Sequence, residues 1–155
     1  MKNFILSDLE KLIDKYSDRI DFGPTIDDIQ IKKAEETIGL PFTTSYKNCL
    51  KSLGISEIGC DEILTVYEDS VGSPTDCVPA GDIVYHHLLD IKNGLARPQQ
   101  LIVCENTFCE ILYFDYSQFQ DGECLLYFGF PAGASYYYAS NFYEFLYKRI
   151  KVNFE

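Results

Sequence analysis

Apolar residues recur three or four positions apart in the first third of the chain, and this spacing predicts amphipathic helices. The first predicted helix covers residues 6–16, where Ser7 and Glu10 have the spacing of a capping box. Gly23-Pro24 then breaks the chain, and Thr25 or Asp27 is predicted to open a second helix. A third helix is predicted over residues 44–53, capped by Thr43 or Thr44.

After residue 54 the pattern changes to short apolar runs typical of strands. Strands are predicted over residues 63–68, 101–105, 108–116 and 123–130, and the last three are antiparallel neighbours because their connections are too short for crossovers. Asp82 is predicted to cap a helix that runs through Leu89, and Ser140 to cap the last helix. The order of elements predicts one α+β domain, residues 1–155, with helices packed on a mainly antiparallel sheet and a closing C-terminal helix.

Composition places this chain among globular proteins. Apolar residues make up 46% and aromatic residues 15% of the sequence. The N-terminal apolar run is too short for a signal peptide, and no later run is long enough to cross a bilayer, so the expected location is the cytoplasm. Six cysteines occur without a Cys-x-x-Cys pair, which favours free thiols over a disulfide framework or a zinc site.

Negative charge is concentrated in the middle and C-terminal parts of the chain, whose formal net charge is -11. Residues 52–91 contain eight acidic residues and no Lys or Arg, whereas residues 1–51 contain nine acidic and eight basic residues. Such a distribution is typical of a solvated acidic surface, and also of a face that attracts a basic partner. It disfavours direct binding of nucleic acid, since phosphate is met by clustered Lys and Arg.

Candidate partner-binding residues are the acids of this segment and the tyrosines in or beyond it, because tyrosine is enriched at interfaces. The acids are Glu57, Asp61, Glu62, Glu68, Asp69, Asp76 and Asp82. The tyrosines are Tyr67, Tyr85, Tyr136 and Tyr137, the last two belonging to a Tyr136–Tyr138 run in which at least one ring must point away from the others.

No catalytic motif is present in the sequence. His86 lies four residues before Asp90, so the two can share a helical face, but no third ligand has motif spacing and we predict no metal site. The glycine-rich stretch of residues 129–135 lacks the Gly-Lys-Ser/Thr ending of a phosphate loop and fits a turn between the last strand and the last helix. Neither a cofactor nor a catalytic residue is predicted.

The stretch EETIGLPFTTSYKNCLKSLG, residues 35–54, joins two helices through a Leu-Pro hinge. Together with the C-terminal SNFYEFLYKRI it resembles the SUKH superfamily, which includes fungal cell-wall regulators and bacterial immunity proteins that neutralise toxins. The residues that carry the resemblance are Leu40, Pro41, Tyr46, Leu50, Gly54, Asp115, Phe142, Phe145 and Leu146.

This resemblance implies a cytoplasmic protein that binds and occludes a cognate toxin domain, often a basic nuclease, without turnover or membrane contact. One alternative is an intracellular scaffold or regulatory module, as in the fungal relatives. Another is a cryptic hydrolase or metal-binding protein that uses His86 and the acids.

Overall fold

Five helices and a seven-stranded sheet make up the part of the chain that the computed structural model describes, residues 4–67, 81–130 and 133–155. The helices are α1 Leu6–Lys15, α2 Asp28–Ile38, α3 Thr44–Ser52, α4 Ile83–Lys92 and α5 Phe142–Phe154. The strands are β1 Ile20–Phe22, β2 Ile55–Ile58, β3 Asp61–Ile63, β4 Gln100–Asn106, β5 Ile111–Asp115, β6 Leu126–Gly129 and β7 Ser135–Ala139.

The strands lie in the sheet in the order in which they occur along the chain, β1 to β7, and every neighbouring pair is antiparallel. Helices α2 and α3 are inserted between β1 and β2, and α4 between β3 and β4. The predicted α+β class, with an antiparallel sheet and a closing helix, is confirmed.

Local capping determines where the central helices begin. Asp27 accepts a hydrogen bond from the Gln30 amide at 2.9 Å and caps α2. Gly39 ends α2 in the left-handed conformation, with φ of 76°. Thr43 accepts from the Tyr46 amide at 3.2 Å and caps α3. The hinge between α2 and α3 is therefore built as its sequence predicts.

Two predicted caps are wrong by one or two residues. Helix α1 begins at Leu6 as predicted, but its N-cap is Ile5 rather than Ser7, and the Asp8 side chain accepts from the Ile5 amide. Helix α5 is capped by Asn141, whose side-chain oxygen accepts from the Glu144 amide at 2.9 Å. Capping propensity does not point to an apolar residue such as Ile5, and it does not choose between the neighbouring polar residues Ser140 and Asn141.

The strand predicted over residues 63–68 is also misplaced, since β3 ends at Ile63. Leu64 and Val66 are buried, yet the chain leaves the sheet there: the Thr65 amide donates to the Gly81 carbonyl and Thr65 forms an isolated bridge with Asp82. The apolar run correctly predicts that Leu64 and Val66 are buried. They are buried where the chain approaches α4, not by pairing within the sheet.

The glycine-rich stretch joins two strands, not a strand and a helix. Gly129 pairs with Ser135 across the β6–β7 hairpin. A Cβ at Gly129 would lie 2.6 Å from the Ala134 carbonyl oxygen, so the close approach of the two strands requires glycine. Strands β1, β2 and β7 were not predicted, because three to five residues give little periodicity.

One face of the sheet is covered by α3 and α5, and α1 packs against α5. Tyr46 lies at the centre of this layer, with its ring centroid 4.8 Å from that of Phe142 and 5.9 Å from that of Phe114. Its hydroxyl donates to the Leu64 carbonyl at 2.7 Å. The predicted buried face of α5 is confirmed, with Phe142, Phe145, Leu146 and Ile150 all buried. The opposite face of the sheet carries α4, which packs against β4.

Candidate functional site

Successive residues of β3 point to opposite faces of the sheet, and this alternation separates acids that are adjacent in sequence. Asp61 points to the face covered by α5 and is fully buried. Arg149 of α5 donates to both of its carboxylate oxygens, each at 2.7 Å. The side-chain amides of Asn153 and Asn106 also donate to the Asp61 carboxylate, at 2.7 Å and 3.2 Å. The sequence had suggested that Asp61 belongs to an exposed acidic face. In the structure it is instead an internal ion-pair partner.

Asp82 was also predicted to lie on the acidic face, and it too lies inside the protein. It is fully buried, and its two carboxylate oxygens accept from the backbone amides of Tyr85 at 2.9 Å and Tyr67 at 3.2 Å. These bonds confirm the predicted cap of α4. They also use the carboxylate inside the protein, so it does not contribute to a surface.

The remaining acids form a row across β1, β2, β3 and β4 on the face opposite α5. Asp21 pairs with Glu57, Glu57 with Glu62, and Glu62 with Glu105. Residues directly opposite one another on neighbouring strands point to the same face, about 5 Å apart at Cβ. We call Asp21, Glu57, Glu62 and Glu105 the acidic row.

The acidic row places like charges side by side. Slight desolvation, a hydrogen bond to Asp21 and the charges of Asp21 and Glu62 raise the pKa of Glu57 above its usual value. Burial raises the pKa of Glu105; the nearby His86 opposes this shift, and the charges of Asp90 and Glu62 add to it. Like charges directly opposite each other destabilise a sheet. The row is therefore a place where the fold tolerates repulsion.

No Lys or Arg among the described residues forms an ion pair with the acidic row. Within the described part of the chain, the one ion-pair contact with the row comes from His86, whose Nδ1 lies 3.9 Å from Glu105 Oε1. The negative charge on this part of the surface is consequently not neutralised by the cationic side chains that the structure places.

Two of the predicted tyrosines lie close to this row. A Cβ built on Gly81 would come 3.7 Å from the Tyr67 hydroxyl and 4.0 Å from the Glu62 carboxyl carbon, which places both side chains around the same backbone. Tyr85, in the first turn of α4, is 43% exposed and its ring stands edge-on to His86. Apolar ring surface thus borders the acids.

The other predicted tyrosines lie at the far edge of the sheet, on β7. Tyr136 and Tyr137 are 63% and 55% exposed. Tyr137 pairs with Tyr127 and shares the face of the acidic row, whereas Tyr136 pairs with Phe128 and points to the other face. Tyr138 lies toward α5, beside Phe145. The expectation that at least one of the three rings points away from the others is confirmed, since Tyr137 lies on the face opposite Tyr136 and Tyr138. Strand β7 is three strands from Glu105, or about 14 Å.

Three predicted acids, Glu68, Asp69 and Asp76, lie outside the described residues. Two row members were missed by sequence reasoning. Asp21 belongs to the nearly neutral N-terminal third, and Glu105 follows an apolar run with no motif around it. Only the strand register brings them together, so no local signal could have found them.

His86 and Asp90 do share one face of α4, as their spacing predicts, and they meet Glu105 of β4 there. The Asp90 carboxylate is buried, and burial raises its pKa while His86 opposes the shift. Burial lowers the pKa of the neighbouring His87, which favours the neutral imidazole.

All five cysteines within the described residues are free thiols. Cys49, Cys104 and Cys124 are buried, and burial together with nearby carboxylates raises the pKa of Cys124 to about 12. Cys60 and Cys109 are exposed. The buried thiols are therefore protonated packing residues, in agreement with the prediction for unpatterned cysteines.

No helix in the described part of the chain is long and apolar enough to cross a membrane. A search of curated proteins found no match to the chain. A family model described as SMI1-KNR4 cell-wall (SUKH_5) matches residues 9–151, nearly the whole domain. The chain therefore belongs to the SUKH superfamily, as the hinge at Leu40-Pro41 and the C-terminal helix had indicated.

Proposed function

We propose that this protein is a cytoplasmic immunity protein that binds a basic toxin domain and blocks it by steric and electrostatic occlusion. Family membership supports a protein-interaction role for the domain. The observation that carries the proposal is the acidic row, in which four carboxylates from four strands stand on one face without a Lys or Arg partner among the described residues.

Electrostatics gives such a surface an advantage in association. A cluster of one sign of charge raises the on-rate for an oppositely charged partner by about 10 to 1000-fold, and salt reduces the effect. A nuclease that binds nucleic acid presents clustered Lys and Arg for phosphate. The acidic row would meet those side chains and exclude the nucleic acid from them.

Aromatic contacts supply the short-range part of the interaction. Tyr85 lies near the acidic row and Tyr137 lies on the same face at the opposite edge of the sheet. Seven strands span about 29 Å from first to last, which matches the width of a standard interface of about 800 Å² per partner. A toxin domain that spans this width would contact both regions.

The test begins with the genes adjacent to this one: a toxin domain found there is co-expressed with this protein, followed by growth assays and by light scattering of the purified mixture. We expect full protection and a one-to-one complex. The triple variant Asp21→Lys, Glu57→Lys, Glu62→Lys should lose protection while remaining folded, because Asp21 and Glu57 are exposed, Glu62 is only half-buried, and surface charges contribute little to stability. Lack of a complex with wild type would reject toxin neutralisation and favour the scaffold alternative.

A second variant separates occlusion from catalysis. Occlusion requires no proton transfer, so His86→Ala should protect as well as wild type. Loss of protection by a folded His86→Ala protein would support the hydrolase alternative instead. Binding of the toxin without protection would likewise contradict occlusion.

A further inference from the structure

Helix α4 brings two polar side chains down onto strand β4. His86 and Asp90 are one helical turn apart, and Glu105 projects from the strand beneath them. One ligand atom from each residue lies within 4.8 Å of the other two. The three side chains come from a helix and a strand that pack directly against each other, so the backbone that supports them is held in place.

One oxygen of the Asp90 carboxylate has no hydrogen bond within the described part of the chain. The residue is only 7% exposed, and its Oδ2 atom is buried with no hydrogen-bond donor among the residues that the structure describes. A buried carboxylate oxygen without a donor is unfavourable. The nearby Glu105 carboxylate adds repulsion rather than relief. A cation between the two would remove both problems.

We propose that His86, Asp90 and Glu105 form a binding site for a divalent cation, with Zn²⁺ the ion best suited to it. One imidazole and two carboxylates are established zinc donors, and their combined charge of two negatives balances the ion. The sequence offered only the His86 and Asp90 pair. Glu105, which completes the set of three, becomes visible only through the packing of α4 on β4.

The three ligand atoms, which lie within 4.8 Å of one another, must move closer together on binding. Ligand atoms around tetrahedral zinc are about 3.3 Å apart, whereas His86 Nδ1 and Glu105 Oε1 are 3.9 Å apart. Both side chains are partly exposed, so rotation of the Glu105 side chain can close this gap without disturbing the core. Their solvent side leaves the remaining coordination positions to water.

The test is calorimetric titration of ZnCl₂ into the metal-stripped full chain, kept reduced with a phosphine. We expect one ion per chain, and at least about tenfold weaker binding for Glu105→Gln and for His86→Ala, each checked for folding by circular dichroism. Glu36→Gln is the matched control, since Glu36 is an exposed acid on α2. It should bind like wild type.

Co²⁺ provides a second readout that distinguishes this site from the thiols. Bound at His86, Asp90 and Glu105, cobalt should show visible d–d bands without a thiolate charge-transfer band. No stoichiometric binding at about millimolar ion would overturn the proposal. So would a strong thiolate band, which would assign the ion to Cys60 or Cys109, or unchanged affinity in both ligand variants.

Discussion

Asp61 and Glu62 are neighbours in sequence and lie in entirely different surroundings. Asp61 is buried beneath α5, where Arg149 and two asparagines donate to its carboxylate. Glu62 points the other way, between Glu57 and Glu105, with like charges on both sides. The same functional group is therefore structural on one face of β3 and available to a partner on the other. Charge counts along a sequence do not make this distinction, but strand alternation does.

The largest effect in this comparison is expected from Asp61→Asn. The substitution leaves the Arg149 guanidinium buried without its counter-ion, and breaking a buried pair in this way destabilises a fold by about 3–5 kcal/mol. Urea denaturation measures the free energy of unfolding. A decrease in the free energy of unfolding of less than about 1 kcal/mol would mean that the Asp61–Arg149 pair is solvated. It would then contradict the placement of Asp61 and Glu62 on a buried and an exposed face of β3.

Asp82→Ala should have a smaller effect of the same sign. Asp82 caps α4 and also holds the Tyr67 amide, so its loss should destabilise the protein by about 1–2 kcal/mol. Asp27→Ala is the matched control, because Asp27 caps α2 from an exposed position and should cost less. Equal losses for the two variants would show that burial of Asp82 adds nothing to its role.

Glu62→Gln should stabilise the protein at pH 7, by about 0.2–1 kcal/mol, because it removes repulsion within the acidic row. The effect should depend on pH in a defined direction. Glu57 and Glu105 have a raised pKa in the fold, so their favourable contribution is complete below the usual value of 4.5 and is lost as pH rises through the raised pKa.

The gain from Glu62→Gln should therefore shrink toward pH 4, where the raised pKa values of Glu57 and Glu105 leave these two neighbours largely protonated. Paired urea titrations of wild type and variant at both pH values measure it. A gain that persists unchanged at the lower pH would assign the effect to packing rather than to charge.

Local signals in the sequence predicted the helices and the longer strands. Asp27, Thr43 and Gly39 define helix ends within one or two residues, and the spacing of Phe142, Phe145 and Ile150 identifies the buried face of α5. These features depend on neighbours within a few positions. The family resemblance rested on the same hinge and helix.

The division of the acids could not be predicted, because it depends on partners distant in sequence. Arg149 lies 88 positions from Asp61, and no residue near it in the sequence indicates an ion pair. Asp21 joins the acidic row only through β1, a three-residue strand with too little periodicity to predict. Glu105 meets His86 and Asp90 only because α4 folds back onto β4.

The most direct test of the acidic row as a binding surface compares two variants of equal net charge. In one, Asp21, Glu57 and Glu62 are changed to lysine; in the other, the exposed acids Glu10, Asp14 and Glu36 are changed to lysine. The measurement is the association rate constant with the toxin domain as a function of salt. We expect the row variant to associate at least about tenfold more slowly, with a flatter salt dependence, and the control to stay close to wild type. Equal rates for the two variants would show that only net charge matters, and would contradict a role for the acidic row.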